Sequence, residues 1–82
     1  MKAGTVAGAL RWATGRLAGA GINDPRLEAE VLLAYVLGIE RTQLLAELKS
    51  VLGREELTSY LAVVERRASR YPLQYITGRA EF

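Results

Sequence analysis

The segment Asn23-Asp-Pro-Arg-Leu-Glu-Ala-Glu-Val-Leu-Leu-Ala-Tyr-Val-Leu-Gly38 decides the fold, because it contains both ends and the core of one helix. Asp24 can accept hydrogen bonds from the first free N–H groups of a helix, and Pro25 lacks the donor that would be unsatisfied there. Gly38 is a typical helix stop. Apolar residues from Val31 to Leu37 cover most of the circumference, as in a helix surrounded by others. We therefore expect this helix at the centre of a bundle.

Helical patterns also precede and follow this segment. A single apolar stripe predicts a first helix from Thr5, which can cap its start, to about Ala20. The stripe of the first helix comprises Val6, Leu10, Ala13 and Leu17. A shorter third helix is predicted from Gln43 to about Lys49, with Thr42 as its cap.

A fourth helix is predicted from Arg54 to about Arg70, with acidic residues mainly near its start and basic residues mainly near its end. Tyr71 precedes Pro72 and is therefore steered away from helical backbone, so the chain should turn there. The expected buried stripe of this helix is Leu57, Tyr60, Leu61, Val64 and Ala68.

Pro72 to Gly78 has the start and stop signals of one short helix, which Tyr75 and Ile76 are expected to hold against the bundle. Five amphipathic helices joined by short turns predict an all-α fold. We expect a small bundle with up-down-like packing, in which four helices are longer and the C-terminal one is short.

The composition excludes several kinds of chemistry. The 82 residues include no cysteine and no histidine, so disulfides, thiolate or imidazole zinc sites and histidine-activated nucleophiles are not available. No pair of carboxylates is placed for acid and base work on one helix face. We expect no catalytic, cofactor-binding or metal-binding residue in this chain.

The sequence favours a soluble, cytoplasmic protein. Its longest apolar run, Val31 to Leu37, is far shorter than the roughly 20 residues of a membrane span. The start, Met1 to Thr5, has no hydrophobic stretch of a signal peptide. The net charge of +2 comes largely from a basic C-terminal segment, which is too small for a sustained nucleic-acid-binding stripe.

One alternative is a helix-turn-helix nucleic-acid-binding module or a stand-alone helical adaptor. Leu37-Gly-Ile-Glu-Arg-Thr-Gln-Leu44 has the helix, glycine turn and second helix of such a reader. A reader needs exposed polar or basic side chains on its second helix, whereas this helix continues with leucines, Ala46 and Glu47. The pattern therefore disfavours nucleic acid as a partner.

The C-terminal motif Pro72-Leu-Gln-Tyr-Ile-Thr-Gly78, with Arg66-Arg67 before it and Glu81-Phe82 after it, resembles the N-terminal helical domain of the HemK family. Asp24 to Leu33 and Arg41 to Leu45 support the resemblance, which covers nearly the whole chain. Members of this family are glutamine N5-methyltransferases that act on peptide chain release factors.

The resemblance implies a recognition domain over residues 1–78 and the start of a linker over residues 79–82. The linker would lead to a methyltransferase domain that binds S-adenosylmethionine and carries out the reaction. No cofactor is expected in the fragment itself, which would be inactive alone and would help to bind the release factor.

Three residues are candidates for partner contact because they lie near the exit to that missing domain. On a helical wheel, Arg66 and Arg70 point away from the core and share one solvent-facing ridge, while Arg67 lies on its flank. Gln74 follows in the short C-terminal helix. The alternative for the arginines is a purely local role at the negative end of the helix dipole.

Overall fold

The computed structural model describes residues 4–78 and confirms the all-α prediction over that range. Apart from one isolated bridge between Thr5 and Val51, the described backbone pairs no strands. The predicted linker, 79–82, lies outside the described residues. The helices are α1 (Val6–Gly19), α2 (Pro25–Leu37), α3 (Arg41–Leu45), α4 (Arg54–Ala68) and α5 (Leu73–Thr77).

Helix α2 lies at the centre of the bundle, as predicted, and packs against α1, α3 and α4. Its Ala29, Leu32 and Leu33 are completely buried. Complete burial of a leucine side chain contributes about 1.5–3 kcal/mol to the free energy of unfolding. The other fully buried large side chains come from α1, α3 and α4, and they are Leu10, Leu17, Leu44, Tyr60 and Val64.

The predicted ends of α1 and α2 are largely confirmed. The Thr5 hydroxyl accepts a hydrogen bond from the Gly8 N–H at 3.1 Å and so caps α1. Gly38 ends α2 with a φ of 71°, a left-handed conformation that glycine adopts without steric cost. These signals are local, which explains why the sequence was sufficient to locate them.

The predicted role of Asp24 as a side-chain cap is wrong. Asp24 precedes α2 in a left-handed conformation, with φ 51° and ψ 53°, and its side chain makes no capping hydrogen bond. An N-cap residue whose side chain accepts hydrogen bonds from the first helical N–H groups typically has extended backbone, which Asp24 lacks. Asp24 therefore serves the turn before α2, since aspartate is one of the few residues that tolerate this region.

Replacing Asp24 by glycine is expected to change the free energy of unfolding by less than about 0.5 kcal/mol, because no capping bond is lost and glycine accepts the left-handed backbone. Asp24→Ala should destabilise the protein by about 1 kcal/mol, since alanine is strained at positive φ. Urea denaturation followed by circular dichroism measures both. A loss of stability in the glycine variant equal to that in the alanine variant would contradict the backbone explanation.

Helix α3 begins earlier and is shorter than predicted. Glu40, rather than Thr42, precedes its first turn, and the Gln43 side chain accepts a hydrogen bond from the Glu40 N–H at 3.1 Å. After Ala46 the chain does not continue as a helix. The carbonyls of Leu48 and Ser50 instead accept hydrogen bonds from the first free N–H groups of α1, both at 2.9 Å.

Two features of α4 also differ from the prediction. The helix ends at Ala68, and its buried face is narrower than expected, because Leu57 is half-buried and Leu61 is exposed. The predicted burial of Tyr60, Val64 and Ala68 is confirmed. Leu61 lies 100° around the helix from Tyr60, at the flank of the stripe.

One buried carboxylate, in the middle of α2, joins α2 to α3. Glu30 is only 7% exposed and accepts hydrogen bonds from Arg26 at 2.8 Å and from Arg41 at 2.9 Å. Arg26 lies one turn earlier on α2, while Arg41 is the first residue of α3. The two ion pairs thus explain why a charged residue can be buried at position 30.

No helix within residues 4–78 has the length and apolar character needed to cross a membrane.

Candidate partner-binding groove

A shallow groove lies where the end of α2, the second half of α4 and the short helix α5 meet. We call it the tyrosine groove, and its volume is about 230 Å³. Its floor and walls combine aliphatic, aromatic and cationic side chains. It is lined by Tyr35, Ala62, Val63, Arg66, Tyr75 and Ile76.

The two tyrosines of the groove are exposed, whereas its isoleucine is buried. Tyr75 is 68% exposed and Tyr35 is 48% exposed. Ile76 is buried in the core cluster and holds α5 against α4. The prediction that both Tyr75 and Ile76 hold α5 is therefore right for Ile76 and wrong for Tyr75. The phenol of Tyr75 is left available at the surface.

Arg66 is positioned by aromatic contacts at one side of the groove. Its guanidinium carbon lies 5.0 Å from the centre of the Tyr71 ring, within the range of a cation–π interaction. Tyr71 in turn contacts Tyr75 edge to face, with ring centres 6.1 Å apart. Within residues 4–78, the Arg66 side chain makes no ion pair and no hydrogen bond. Its N–H donors are therefore available to a ligand.

The turn after α4 holds Tyr71 in place from both sides. The Tyr71 N–H donates to the Arg66 carbonyl at 3.3 Å, and the Tyr71 carbonyl accepts from the Arg67 guanidinium at 3.3 Å. Arg67 is itself fixed to α2, because it makes two hydrogen bonds to the Glu28 carboxylate. These hydrogen bonds hold the Tyr71 backbone next to the end of α4, where its ring contacts Arg66.

Arg70 does not share a ridge with Arg66, so that part of the prediction is wrong. Arg70 lies beyond the helix end with a φ of 78°, and its guanidinium donates to the Gly21 carbonyl at 3.4 Å. The positive φ takes the residue out of the helical register on which the wheel relied. Both arginines are exposed as predicted. Arg66 contacts the Tyr71 ring, whereas Arg70 contacts Gly21 in the turn between α1 and α2.

Gln74 is exposed on α5 beside Tyr75 but does not line the groove. Of the three candidates, Arg66 alone belongs to it. Tyr35 is an exposed residue that the helix pattern did not predict, because the end of α2 is apolar all round. A wheel gives one signal: Tyr35 lies about 200° from the buried Leu33, on the opposite side of the helix.

The groove carries a positive charge from Arg66, and none of its other lining side chains within residues 4–78 is charged. Outside the groove, the exposed pair of Arg16 and Glu65 is joined by two hydrogen bonds of 2.7 Å, which raise the pKa of Arg16 and lower the pKa of Glu65.

No group of three or more metal-binding side chains occurs within residues 4–78.

Helix α3 does not have the form of a nucleic-acid recognition helix. It has only five residues, and its central Leu44 is completely buried. A recognition helix must instead present several side chains to base edges. The helix-turn-helix alternative therefore loses its structural basis.

The fold is a small all-α domain in which α2, α4 and α5 border the tyrosine groove. The chain belongs to the PrmC N-terminal domain family, whose model matches residues 8–78. This confirms the resemblance seen in the sequence.

Curated relatives with the name release factor glutamine methyltransferase are similar to nearly the whole chain. The protein from Moorella thermoacetica is 45% identical over 78 residues, which cover 95% of this chain and 28% of the relative. The protein from Geobacter sulfurreducens is 44% identical with the same coverage. The protein from Streptomyces coelicolor is 49% identical over 70 residues, 85% of this chain and 24% of the relative. The chain thus spans about a quarter of their length.

Proposed function

We propose that this chain is the recognition domain of an S-adenosylmethionine-dependent methyltransferase that modifies a glutamine side chain of peptide chain release factors. The carrying observation is 45% identity across 95% of the chain to a protein of that name, of which the chain covers only 28%. The domain itself is non-catalytic and helps to hold the release factor, while the remainder of the enzyme transfers the methyl group. Such an enzyme works in the cytoplasm, where release factors act in translation termination.

The division of labour has a physical reason. Methylation of one glutamine in a large folded protein requires that the side chain be held in one orientation at the reacting centre. Contacts remote from the reacting atoms can provide the binding energy for that orientation. A separate helical domain with an open groove provides such contacts without taking part in the chemistry.

The described residues do not fit a binding site for the cofactor. Nucleotide-like cofactors are commonly held by a glycine-rich turn between a strand and a helix, whose N–H groups face the ligand. Residues 4–78 contain five helices and no paired strand that could form such a unit. We therefore assign S-adenosylmethionine to the remainder of the enzyme.

Arg66, Arg70 and Gln74 are our proposed partner contacts. Arg66 has the strongest support because its guanidinium is exposed, positioned by Tyr71 and free of acidic partners within residues 4–78. Arg70 and Gln74 are also exposed, although Arg70 donates one hydrogen bond to the α1–α2 turn.

The 82-residue chain is expected to bind a release factor but not S-adenosylmethionine. Isothermal titration calorimetry measures both interactions, and transfer of a radiolabelled methyl group measures activity. We expect heat with the release factor, none with the cofactor and no label on the protein substrate. The full-length enzyme is the positive control for both missing signals. Binding of S-adenosylmethionine by the 82-residue chain would overturn the proposed division of labour.

A further inference from the structure

The tyrosine groove has the side chains that dominate protein–protein contacts. Tyrosine and arginine are enriched at interfaces and among the residues that carry most of the binding energy. Here Tyr35, Tyr75 and Arg66 line one groove, and the buried Ile76 fixes its floor. The tyrosine side chains have few rotatable bonds, so a partner orders them at low entropic cost.

The contact with Tyr71 prepares Arg66 for one kind of ligand group. The guanidinium carbon lies 5.0 Å from the ring centre, and the Tyr71 backbone is held by hydrogen bonds on both sides. A guanidinium presents its N–H donors as a fork that matches a carboxylate with two parallel hydrogen bonds. No acidic residue among 4–78 lines the groove, so we expect the partner to provide this carboxylate.

We propose that the tyrosine groove binds a short segment of the release factor in which a carboxylate is flanked by apolar side chains. Arg66 holds the carboxylate, and Tyr35, Tyr75 and Val63 contact the apolar neighbours. This inference rests on the proposed function and specifies the surface and the chemistry by which the domain recognises its protein substrate.

The size and charge of the groove favour such a segment over other occupants. A volume of about 230 Å³ accommodates a few side chains of a short segment. A nucleic-acid strand requires several cations that follow its phosphates, but within residues 4–78 Arg66 is the only cation that lines this groove.

Calorimetric titration of the 82-residue chain with the release factor tests the proposal directly. Arg66→Gln removes the charge, and Tyr75→Ala removes the more exposed ring. We expect each variant to weaken binding by about tenfold or more, as for residues that anchor an interface. Tyr75→Phe should retain nearly normal affinity, because the ring rather than the hydroxyl makes the apolar contact. Added salt should weaken the wild type more than Arg66→Gln.

Arg54→Gln is the matched control. Arg54 is also exposed and makes no ion pair within residues 4–78, but it lies at the opposite end of α4, about 18 Å along the helix axis. Its affinity should stay within about twofold of the wild type, since it removes the same charge without touching the groove. Thermal unfolding of each variant verifies that the fold is retained.

The outcomes separate the groove from the proposed function. If the wild-type chain does not bind the release factor, recognition by this domain fails and the groove assignment fails with it. If the wild type binds and Arg66→Gln and Tyr75→Ala bind equally well, the groove assignment is overturned while recognition stands. If full-length enzyme with those same changes then lost activity, the groove would be a contact surface for the remainder of the enzyme and not for the release factor.

Discussion

Replacing Tyr60 by alanine is expected to lower the free energy of unfolding by about 3–5 kcal/mol, the usual cost of truncating a buried aromatic residue. Tyr60 is completely buried on α4, which packs against both α1 and α2. Its hydroxyl donates a hydrogen bond of 2.8 Å to the Ala29 carbonyl at the centre of the bundle. The change therefore removes packing and a bond between two helices at once. Urea denaturation followed by circular dichroism measures the loss.

Tyr60→Phe separates the ring from its hydroxyl. We expect a loss of about 1 kcal/mol, because the Ala29 carbonyl lies within α2 and can keep an intrahelical hydrogen bond. Most of the loss of unfolding free energy in Tyr60→Ala would then come from lost packing of the ring. Equal losses in the two variants would show instead that the hydrogen bond, and not the ring, stabilises this part of the core.

Tyr60 also predicts how stability depends on alkaline pH. Burial raises the pKa of Tyr60 above its ordinary value of 10.0. The folded protein therefore retains the neutral phenol where the unfolded chain ionises. The stabilising contribution is complete below pH 10 and is lost as the pH rises from there through the folded pKa. Tyr60→Phe should lack this part of the alkaline decline.

The elements that the sequence predicted well are those that local chemistry determines. Pro25 and Gly38 specify the ends of α2, and Thr5 specifies the start of α1, each through the residue's own backbone or side chain. The end of helix α3 was placed incorrectly because it depends on distant groups. The carbonyls of Leu48 and Ser50 bind the start of α1, so that segment cannot continue the helix.

The groove could be predicted only in part, for the same reason. Periodicity places Arg66 on the solvent side of α4, which the structure confirms. The ring beneath it depends on the turn after α4, where Arg70 takes a positive φ that its residue type does not signal. Tyr35 joins the groove from α2, a contact between separate helices that no local pattern contains.

Arg67→Met is expected to lower the free energy of unfolding by about 2–3 kcal/mol, because it leaves the carboxylate of Glu28 largely buried and unpaired. The side chains of Arg67 and Glu28 are only 18% and 15% exposed, and their hydrogen bonds of 2.6 and 3.2 Å join α4 to α2. The loss should also release the Tyr71 carbonyl and thereby loosen the turn beside the groove. Chemical denaturation measures the first effect, and amide exchange at residue 71 and at residues 73–75 measures the second.

Arg16→Met is the matched control, because Arg16 makes an equally well-formed fork to Glu65 with two bonds of 2.7 Å. Those side chains are 42% and 50% exposed, so water can solvate whichever charge remains, and stability should hardly change. The double variant Glu28→Leu/Arg67→Met should be more stable than Arg67→Met alone, since no buried charge then lacks a partner. If Arg16→Met and Arg67→Met destabilise the protein equally, burial does not distinguish the two ion pairs. The proposal that Arg67 stabilises the turn beside the groove by joining it to α2 would then be contradicted.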